Sequence, residues 1–204
     1  MQQQNQESRV QTQHIADSLG VTPGTATVMI KHLAESGYVD YLPRQGVILS
    51  DLGRSMALRL LRYHRLIETF LMQIVGYDWS EVHDEAEILE HAVSPLFIEK
   101  IDTLLGHPEQ DPHGDPIPSP KGTIPETNTI ELSSVEAGKG ARIFRFEETS
   151  AETLGLMSQK GLGPGVKIVI SENSPAAGII TVEGPKGSFT MAQHLAQSIQ
   201  VLLD

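Results

Sequence analysis

Residues 10–39 read VQTQHIADSLGVTPGTATVMIKHLAESGYV and predict two helices joined by a tight turn. The first helix stops at Gly20, and the second begins with Thr22 as its N-terminal cap and Pro23 at the first helical position. Gly37 closes the second helix. Apolar side chains recur at helical spacing in both segments, which predicts one buried side on each helix. The predicted buried stripes are Val10, Ile15, Ala16 and Leu19 in the first helix and Val28, Met29, Leu33 and Ala34 in the second.

A hairpin follows the two helices. The segment YVDYLPRQGVILS, residues 38–50, predicts two short apolar strands around a turn at Pro43, Arg44, Gln45 and Gly46. Helix, tight turn, helix and hairpin in this order are typical of a winged helix-turn-helix DNA-binding domain, and a generic helical bundle is the alternative. For each residue predicted to contact DNA, the alternative is a polar side chain that only faces solvent. These residues are Thr22, Pro23, Thr25, Thr27, Val28, Lys31, Arg44 and Gln45.

The remainder of the chain falls into three parts. Residues 51–106 are helical and heavily apolar, and exposed apolar faces there suggest a dimer interface. A stretch rich in Pro, Gly and Asp follows, which we expect to be an extended linker with His107 and His113 as turn residues. Four short strands near the C-terminus predict an SH3-like β-barrel.

The expected fold class is therefore a mainly α N-terminal winged helix-turn-helix with a helical dimerisation domain, followed by a small all-β SH3-like barrel. The predicted boundaries are 1–58 for DNA binding, 59–118 for metal binding and dimerisation, 119–138 for the linker and 139–204 for the SH3-like domain.

Composition limits the classes of function. The chain of 204 residues has no cysteine, which excludes disulfides and thiolate ligands and fits a reducing cytoplasm. No apolar run approaches the ~18 residues of a membrane span, so we expect a cytoplasmic protein without membrane contact. The net charge is −11, but residues 1–70 carry seven bases against six acids. A weakly basic DNA-binding domain must make few, well-placed phosphate contacts.

Imidazole and carboxylate side chains recur at helical spacing in the middle of the chain. His64 and Glu68 lie one helical turn apart. The run HDEAEILEH, residues 83–91, places four more within an arc of roughly 100° on one predicted helix face. These four are His83, Glu87, Glu90 and His91. Two facing helices with such side chains can bind a divalent transition ion, and a solvated acidic face is the alternative.

Enzyme motifs are missing from the sequence. There is no P-loop, no Rossmann glycine fingerprint and no serine nucleophile elbow. The repeated Glu-x-x-His pattern of carboxylate-bridged diiron centres is absent as well. We therefore expect a protein that is not an enzyme.

The order of elements resembles the diphtheria-toxin-repressor and manganese-transport-regulator family of metal-dependent bacterial repressors. The stretches that carry the resemblance are HIADSLGVTPGTATVMIKHLAESGYV, RYHRLIETFL, VHDEAEILEHAVS and LGHPEQDPHGDPIP. It covers about residues 10–120 and extends more loosely to the SH3-like, FeoA-like C-terminal domain. The resemblance implies a homodimer that binds Mn²⁺ or Fe²⁺ and then represses metal-uptake genes at a palindromic operator in double-stranded DNA.

The resemblance also implies a role for each candidate ligand. By position, His64, Glu68 and His83 match one metal site of the family, and Glu87, Glu90 and His91 match ligands of a second. The iron-responsive branch has a cysteine where this chain has Glu87, and a hard carboxylate donor there favours Mn²⁺ over Fe²⁺. Relatives take further ligands from the C-terminal domain, for which Glu147, Glu148 and above all Glu152 are the candidates.

One feature of the family is missing from this sequence. The family has a helix before the helix-turn-helix that supplies another metal ligand, but only MQQQNQESR precedes Val10. We expect that the start has been assigned about twenty residues late, and a shortened protein is the alternative.

These observations predict a cytoplasmic repressor that responds to Mn²⁺ or Fe²⁺, with Mn²⁺ the favoured ion, and binds DNA as a homodimer. Two alternatives stay open. One is a metal-independent winged-helix regulator with a vestigial site, and the other is a His/Glu metalloenzyme or storage protein.

Overall fold

The computed structural model describes residues 9–78, 81–147 and 150–203. The chain divides into two compact units, Met1–Arg59 and Leu60–Asp204. No helix in the described ranges is both long enough and apolar enough to cross a membrane.

The first unit has the predicted order of helices and strands. Thr22 caps the second helix by accepting a hydrogen bond from the backbone N–H of Thr25, and Pro23 occupies the first helical position, as predicted. The hairpin is antiparallel and turns at Arg44, whose φ is 67°. The elements are α1 (Thr12–Ser18), α2 (Pro23–Glu35), β1 (Val39–Leu42), β2 (Gly46–Leu49) and the start of α3 (Asp51–Phe70).

The prediction of the buried stripe on α2 was wrong. Ala26 and Ile30 are the buried residues of this helix. The three largest residues of the predicted stripe are exposed, by 68% for Val28, 46% for Met29 and 42% for Leu33. Ile30 packs with residues of the hairpin in a small core, whereas Met29 and Leu33 line an open apolar groove of about 610 Å³. The periodicity of α2 was read correctly, but the hairpin covers a neighbouring side of the helix.

The second unit begins with a helical layer around an apolar core. Pro95 starts a new helix, because Ser94 caps it and proline takes its first position. Large apolar side chains remain exposed on the outer faces, among them Ile88, Leu96 and Leu104. The elements are the end of α3, a π-helical turn (Leu71–Val75), α4 (Val82–Leu89) and α5 (Pro95–Leu104). The core consists of Leu66, Ile67, Leu71, Val82, Ala86, Ile98, Ile101 and Ile117.

The expected extended linker is compact in its first half. Residues 111–114 are buried, and an isolated antiparallel bridge joins Gln110 to Pro116. The backbone N–H of Ile117 donates to the carbonyl of Glu109 on the other side of this turn. Residues 109–117 therefore form a tight hairpin-like turn, which we call the 109–117 turn, and only the segment after it lacks regular structure.

An antiparallel sheet completes the second unit. Its six strands lie in the order β3-β8-β4-β5-β6-β7, so the last strand of the chain is inserted beside β4. Ile143 in β4 pairs with Val201 in β8, and both point into the core. The elements are β3 (Ile130–Glu131), β4 (Gly140–Phe146), α6 (Ala151–Lys160), β5 (Lys167–Ser174), β6 (Ile179–Gly184), β7 (Gly187–Ala192), α7 (Gln193–Gln197) and β8 (Ile199–Leu203). The predicted fold class is confirmed, and the sheet has two strands, β3 and β8, beyond the four expected.

Candidate metal centre

Three predicted ligands converge where α3 faces α4. His64 and Glu68 project from α3 one turn apart, with His64 Nε2 2.9 Å from Glu68 Oε1. His83, on α4, places its Nδ1 3.1 Å from His64 Nε2 and 3.3 Å from Glu68 Oε1. Ligand atoms of these three residues all lie within 4.8 Å of one another. One cation could contact all three.

Glu90 supports this group from the end of α4. Its Oε2 is 2.7 Å from His64 Nδ1, so Glu90 accepts a hydrogen bond from the ring nitrogen that faces away from Glu68. Its other oxygen lies 3.4 Å from His91 Nε2. A carboxylate that orients a metal-binding imidazole in this way is common in metalloproteins. The geometry thus gives Glu90 an orienting contact with His64, and its predicted role as a direct ligand stays a prediction.

The other two predicted ligands lie at the surface. Helix α4 ends at Leu89, and the side chain of His91 is 65% exposed in the following turn. Glu87 is also exposed, and it forms no ion pair with any residue in the described ranges. The structure therefore brings His83 and Glu90 to His64 but leaves Glu87 and His91 outside this cluster, and their role as ligands stays a prediction.

A second group was missed by the sequence analysis. Asp111 and His113 are buried in the 109–117 turn, and His113 Nδ1 lies 3.7 Å from Glu68 Oε2. Ligand atoms of Glu68, Asp111 and His113 also lie within 4.8 Å of one another. His113 lies in a turn, as expected, but the expected extended linker is wrong here, because the turn folds back against α3 and buries the His113 side chain. The clustering of Asp, Pro, His and Gly at 111–114 signals a tight turn, but it does not reveal contact with a distant helix.

Asp111 shapes the turn that presents His113. Its Oδ1 accepts hydrogen bonds from the backbone N–H of His113 at 2.8 Å and of Asp115 at 2.9 Å. Its Oδ2 lies 3.5 Å from Nε of Arg65 on α3. One carboxylate therefore closes the turn with one oxygen and faces α3 with the other.

Glu68 belongs to both groups. It is only 2% exposed, and its two oxygens face different partners, Oε1 toward His64 and His83 and Oε2 toward His113. Burial alone would raise the pKa of Glu68, but hydrogen bonds from His113 and His64 and the charges of these rings outweigh it and lower this pKa to about 2. Glu68 is thus an ionised carboxylate that two adjacent cations could share.

The protonation of His64 follows from its two carboxylate partners. A carboxylate only accepts hydrogen bonds, so contacts at both ring nitrogens are best satisfied by the doubly protonated ring. Burial lowers the pKa of His64, but hydrogen bonds and charges of Glu68 and Glu90 raise it above 6.5. A cation that binds Nε2 must displace this proton.

The environment of Asp111 is crowded with negative charge. Burial, followed by the charges of Glu68 and Asp115, raises the pKa of Asp111 from 3.8 to about 7. A divalent cation would offset this repulsion. Imidazole nitrogens and carboxylate oxygens without sulfur suit Mn²⁺ and Fe²⁺, so the residues present fit such an ion.

The C-terminal candidates do not join either group. Glu147 is exposed and forms an ion pair with Arg145, and Glu152 is exposed on α6. Glu148 lies outside the described residues. Neither potential metal-binding group found among the described residues contains Glu147 or Glu152.

The predicted DNA-contacting residues lie on the surface of the first unit, and all except the half-buried Thr27 are exposed. The hydroxyls of Thr22 and Thr25 hydrogen-bond each other at the start of α2, and that of Thr27 donates to the carbonyl of Pro23. The side chains of Lys31, Arg44 and Gln45, at the helix surface and the hairpin tip, form no hydrogen bond or ion pair with another residue that the structure describes. DNA contact by the predicted set stays a prediction.

Comparison with known protein families covers nearly the whole chain. The iron-dependent repressor N-terminal DNA-binding domain matches residues 2–47. The iron-dependent repressor metal-binding and dimerisation domain matches residues 50–119, and the FeoA domain matches residues 130–203.

Individual relatives agree with these matches. The chain is 24% identical over 199 residues to the iron-dependent repressor IdeR of Mycobacterium tuberculosis, covering 92% of this chain and 86% of that protein. It is 36% identical over 115 residues to the HTH-type transcriptional regulator MntR of Listeria welshimeri, covering 56% of this chain and 80% of that protein.

A solved structure extends the likeness to the full chain. A manganese-dependent transcriptional repressor in complex with manganese matches with a TM-score of 0.87 and 37% identity, covering 97% of this chain and 92% of that chain. Together with the fold and the His/Glu cluster, these matches show that the chain belongs to the diphtheria-toxin-repressor and manganese-transport-regulator family of metal-dependent transcriptional repressors.

Proposed function

We propose that this protein is a transcriptional repressor that binds operator DNA as a homodimer when a divalent metal, Mn²⁺ in preference to Fe²⁺, occupies its His/Glu centre. The observation that carries the proposal is the convergence of His64, Glu68 and His83 at the junction of α3 and α4. Family membership supports the DNA-binding and dimerisation roles of the two flanking regions.

The chain's own residues explain why metal would order the centre. Glu68 and Asp111 are both buried, and burial, followed by repulsion from the charges of Glu68 and Asp115, raises the pKa of Asp111. A bound divalent cation would supply the positive charge that offsets this repulsion and would join imidazole and carboxylate ligands from separate elements. His64 and Glu68 on α3, His83 on α4 and His113 in the 109–117 turn would then be held in one arrangement.

Metal binding would reach DNA through the helix that carries two of the ligands. Helix α3 starts at Asp51, directly after the hairpin strand that ends at Leu49, and runs on to Phe70. If the metal binds one conformation of the dimer more tightly, it raises the population of that conformation. Fixing α3 in this way would favour one separation between the two recognition helices. A symmetric homodimer presents two identical DNA-binding domains, so we expect its operator to be palindromic.

The preference for Mn²⁺ rests on the donor atoms. Every candidate ligand offers nitrogen or oxygen, and none offers sulfur. Carboxylates are hard donors that suit Mn²⁺. The manganese complex of the similar repressor agrees with this preference.

A DNA-binding titration with metals tests the proposal. The labelled DNA would be the promoter of a neighbouring metal-transporter gene, and anisotropy would be recorded with Mn²⁺, with Fe²⁺ under anaerobic conditions and with chelator. We expect binding only with metal, and we expect His83→Ala to need far more Mn²⁺. His194→Ala, which removes an exposed imidazole from α7, is the matched control. Equal DNA binding with metal and with chelator would support a metal-independent regulator instead. Equal affinity for every DNA sequence tested would refute the proposal.

A further inference from the structure

The turn that carries Asp111 and His113 is fastened to the C-terminal sheet. The backbone N–H of Phe146 in β4 donates to the carbonyl of His113 at 3.1 Å. Arg145, also in β4, donates from Nη1 to Asp115 Oδ1 at 3.0 Å. A β-bulge interrupts the pairing of β4 with β8 between Ile143 and Arg145, and bulges redirect side chains in this way.

Close backbone contact accompanies these bonds. A methyl group added to Gly114 would overlap the carbonyl oxygen of Phe144, and the φ of Gly114 is 89°, a value that disfavours other residues. The 109–117 turn and β4 therefore pack backbone against backbone. The turn cannot shift toward the sheet, and its position depends on β4.

The same turn is held from the other side by α3. Arg65 donates from Nη1 to the carbonyl of Pro116 at 2.6 Å. Its Nη2 also lies 3.6 Å from Asp115 Oδ1. Asp115 therefore lies between Arg65 of α3 and Arg145 of β4, and Glu68 projects from α3 one turn beyond Arg65.

We propose that the C-terminal sheet sets the metal affinity of the Glu68–Asp111–His113 group through Arg145, a positioning residue that acts through Asp115. This inference rests on the proposed function, since it concerns the affinity of that centre. The coupling is direct, because the N–H of Asp115 donates to Asp111 Oδ1 and a displaced Asp115 turns the Asp111 carboxylate. Ligands that are held in place before binding bind more tightly than mobile ones.

Mn²⁺ titration of the full chain, by calorimetry and by electron paramagnetic resonance of free Mn²⁺, tests this inference. Arg145→Gln is expected to weaken one Mn²⁺ equivalent by about 10–100-fold and to leave the equivalent that depends on His83 unchanged. Arg142→Gln is the matched control, since Arg142 lies exposed in the same strand and forms no ion pair with the described residues. Arg145→Lys keeps the charge and should restore part of the affinity.

Further variants separate positioning from a general loss of structure. Melting and near-ultraviolet circular dichroism in chelator should be alike for Arg145→Gln and Arg142→Gln. In an Asp115→Asn background, Arg145→Gln should have little further effect, because the contact it removes is already lost.

Three outcomes would overturn the inference. The first is an Arg145→Gln protein that binds both equivalents like the wild type, and the second is an effect that adds fully to that of Asp115→Asn. The third is a wild-type protein with one equivalent that His113→Ala does not weaken. A wild-type chain that takes up no Mn²⁺ would refute the proposed function as well. A chain that binds Mn²⁺ normally but ignores it on DNA would refute only the proposed function.

Discussion

Glu68→Gln is the substitution with the largest expected effect on the metal centre. The change keeps the size and shape of the side chain but removes its charge and one acceptor oxygen. Glu68 is the one residue common to both ligand groups found in the described ranges, and it is almost completely buried. The substitution should therefore weaken both groups at once, whereas His83→Ala and His113→Ala should each weaken one.

The expected magnitude follows from the contacts of Glu68. Opposite unit charges about 4 Å apart attract by about 4 kcal/mol at an effective dielectric constant near 20, and a divalent cation doubles the charge. The net gain on metal binding is smaller, because Glu68 already interacts with three histidines in the metal-free protein. Even the loss of a group that only orients a ligand typically weakens binding about 10–100-fold. We therefore expect a loss of at least ~100-fold in Mn²⁺ affinity for each group, or about 2.8 kcal/mol.

Calorimetric titration with Mn²⁺ measures both the number of equivalents and their affinities. Wild type and Glu99→Gln, an exposed carboxylate on α5, should give the same isotherm. Glu68→Gln should lose both high-affinity equivalents while keeping its fold in chelator. If Glu68→Gln retained one equivalent at the wild-type affinity, the idea of a shared carboxylate would be refuted.

Other predictions follow from single contacts. Gly114→Ala should lower the melting temperature and abolish the Mn²⁺ equivalent bound by Glu68, Asp111 and His113, because the added methyl group would overlap β4. Gly138 has a similar positive φ but open space around it, so Gly138→Ala should lower the free energy of unfolding by only about 1–2 kcal/mol of backbone strain. Equal loss for both glycines would contradict the close packing against β4. Glu90→Gln should weaken the Mn²⁺ equivalent bound by His64, Glu68 and His83 about 10–100-fold without removing it, because His64 loses the hydrogen bond that orients its ring. Unchanged affinity would show that this hydrogen bond has no orienting role. Mn²⁺ affinity should fall as the pH falls from 8 to 6, because the raised pKa of His64 keeps a proton on the imidazole ring that the cation must displace. Calorimetry in buffers of different ionisation enthalpy would count the protons released on binding. An affinity that does not change with pH would argue against His64 as a ligand.

Local signals in the sequence predicted most of the N-terminal elements. Thr22 and Pro23 mark the start of α2 because a cap and a first-turn proline act within one helical turn. His64 and Glu68 could be paired for the same reason, since residues four apart on a helix share a face. Contact with His83 needed one further assumption, that two successive helices face each other, and this assumption held.

The errors concern contacts between distant segments. Periodicity showed that Met29 and Leu33 share a face, but it could not show that Ala26 and Ile30 are buried instead, Ile30 against the hairpin. Composition indicated an extended linker around His113, although residues 111–114 form a buried turn between α3 and β4. Nothing local in a Pro- and Gly-rich segment reveals which surface it will pack against. Half of the candidate site was therefore outside the reach of local sequence reasoning.

Metal-dependent DNA binding tests the central claim most directly. The measurement is the dissociation constant of the full-length protein for a metal-transporter promoter fragment, by fluorescence anisotropy, in saturating Mn²⁺ and in chelator at the same ionic strength. A coupling of about 1–3 kcal/mol, typical of such switches, predicts binding roughly 5–150-fold tighter with Mn²⁺, and Glu68→Gln should remove the difference. Equal dissociation constants in Mn²⁺ and in chelator would contradict the account.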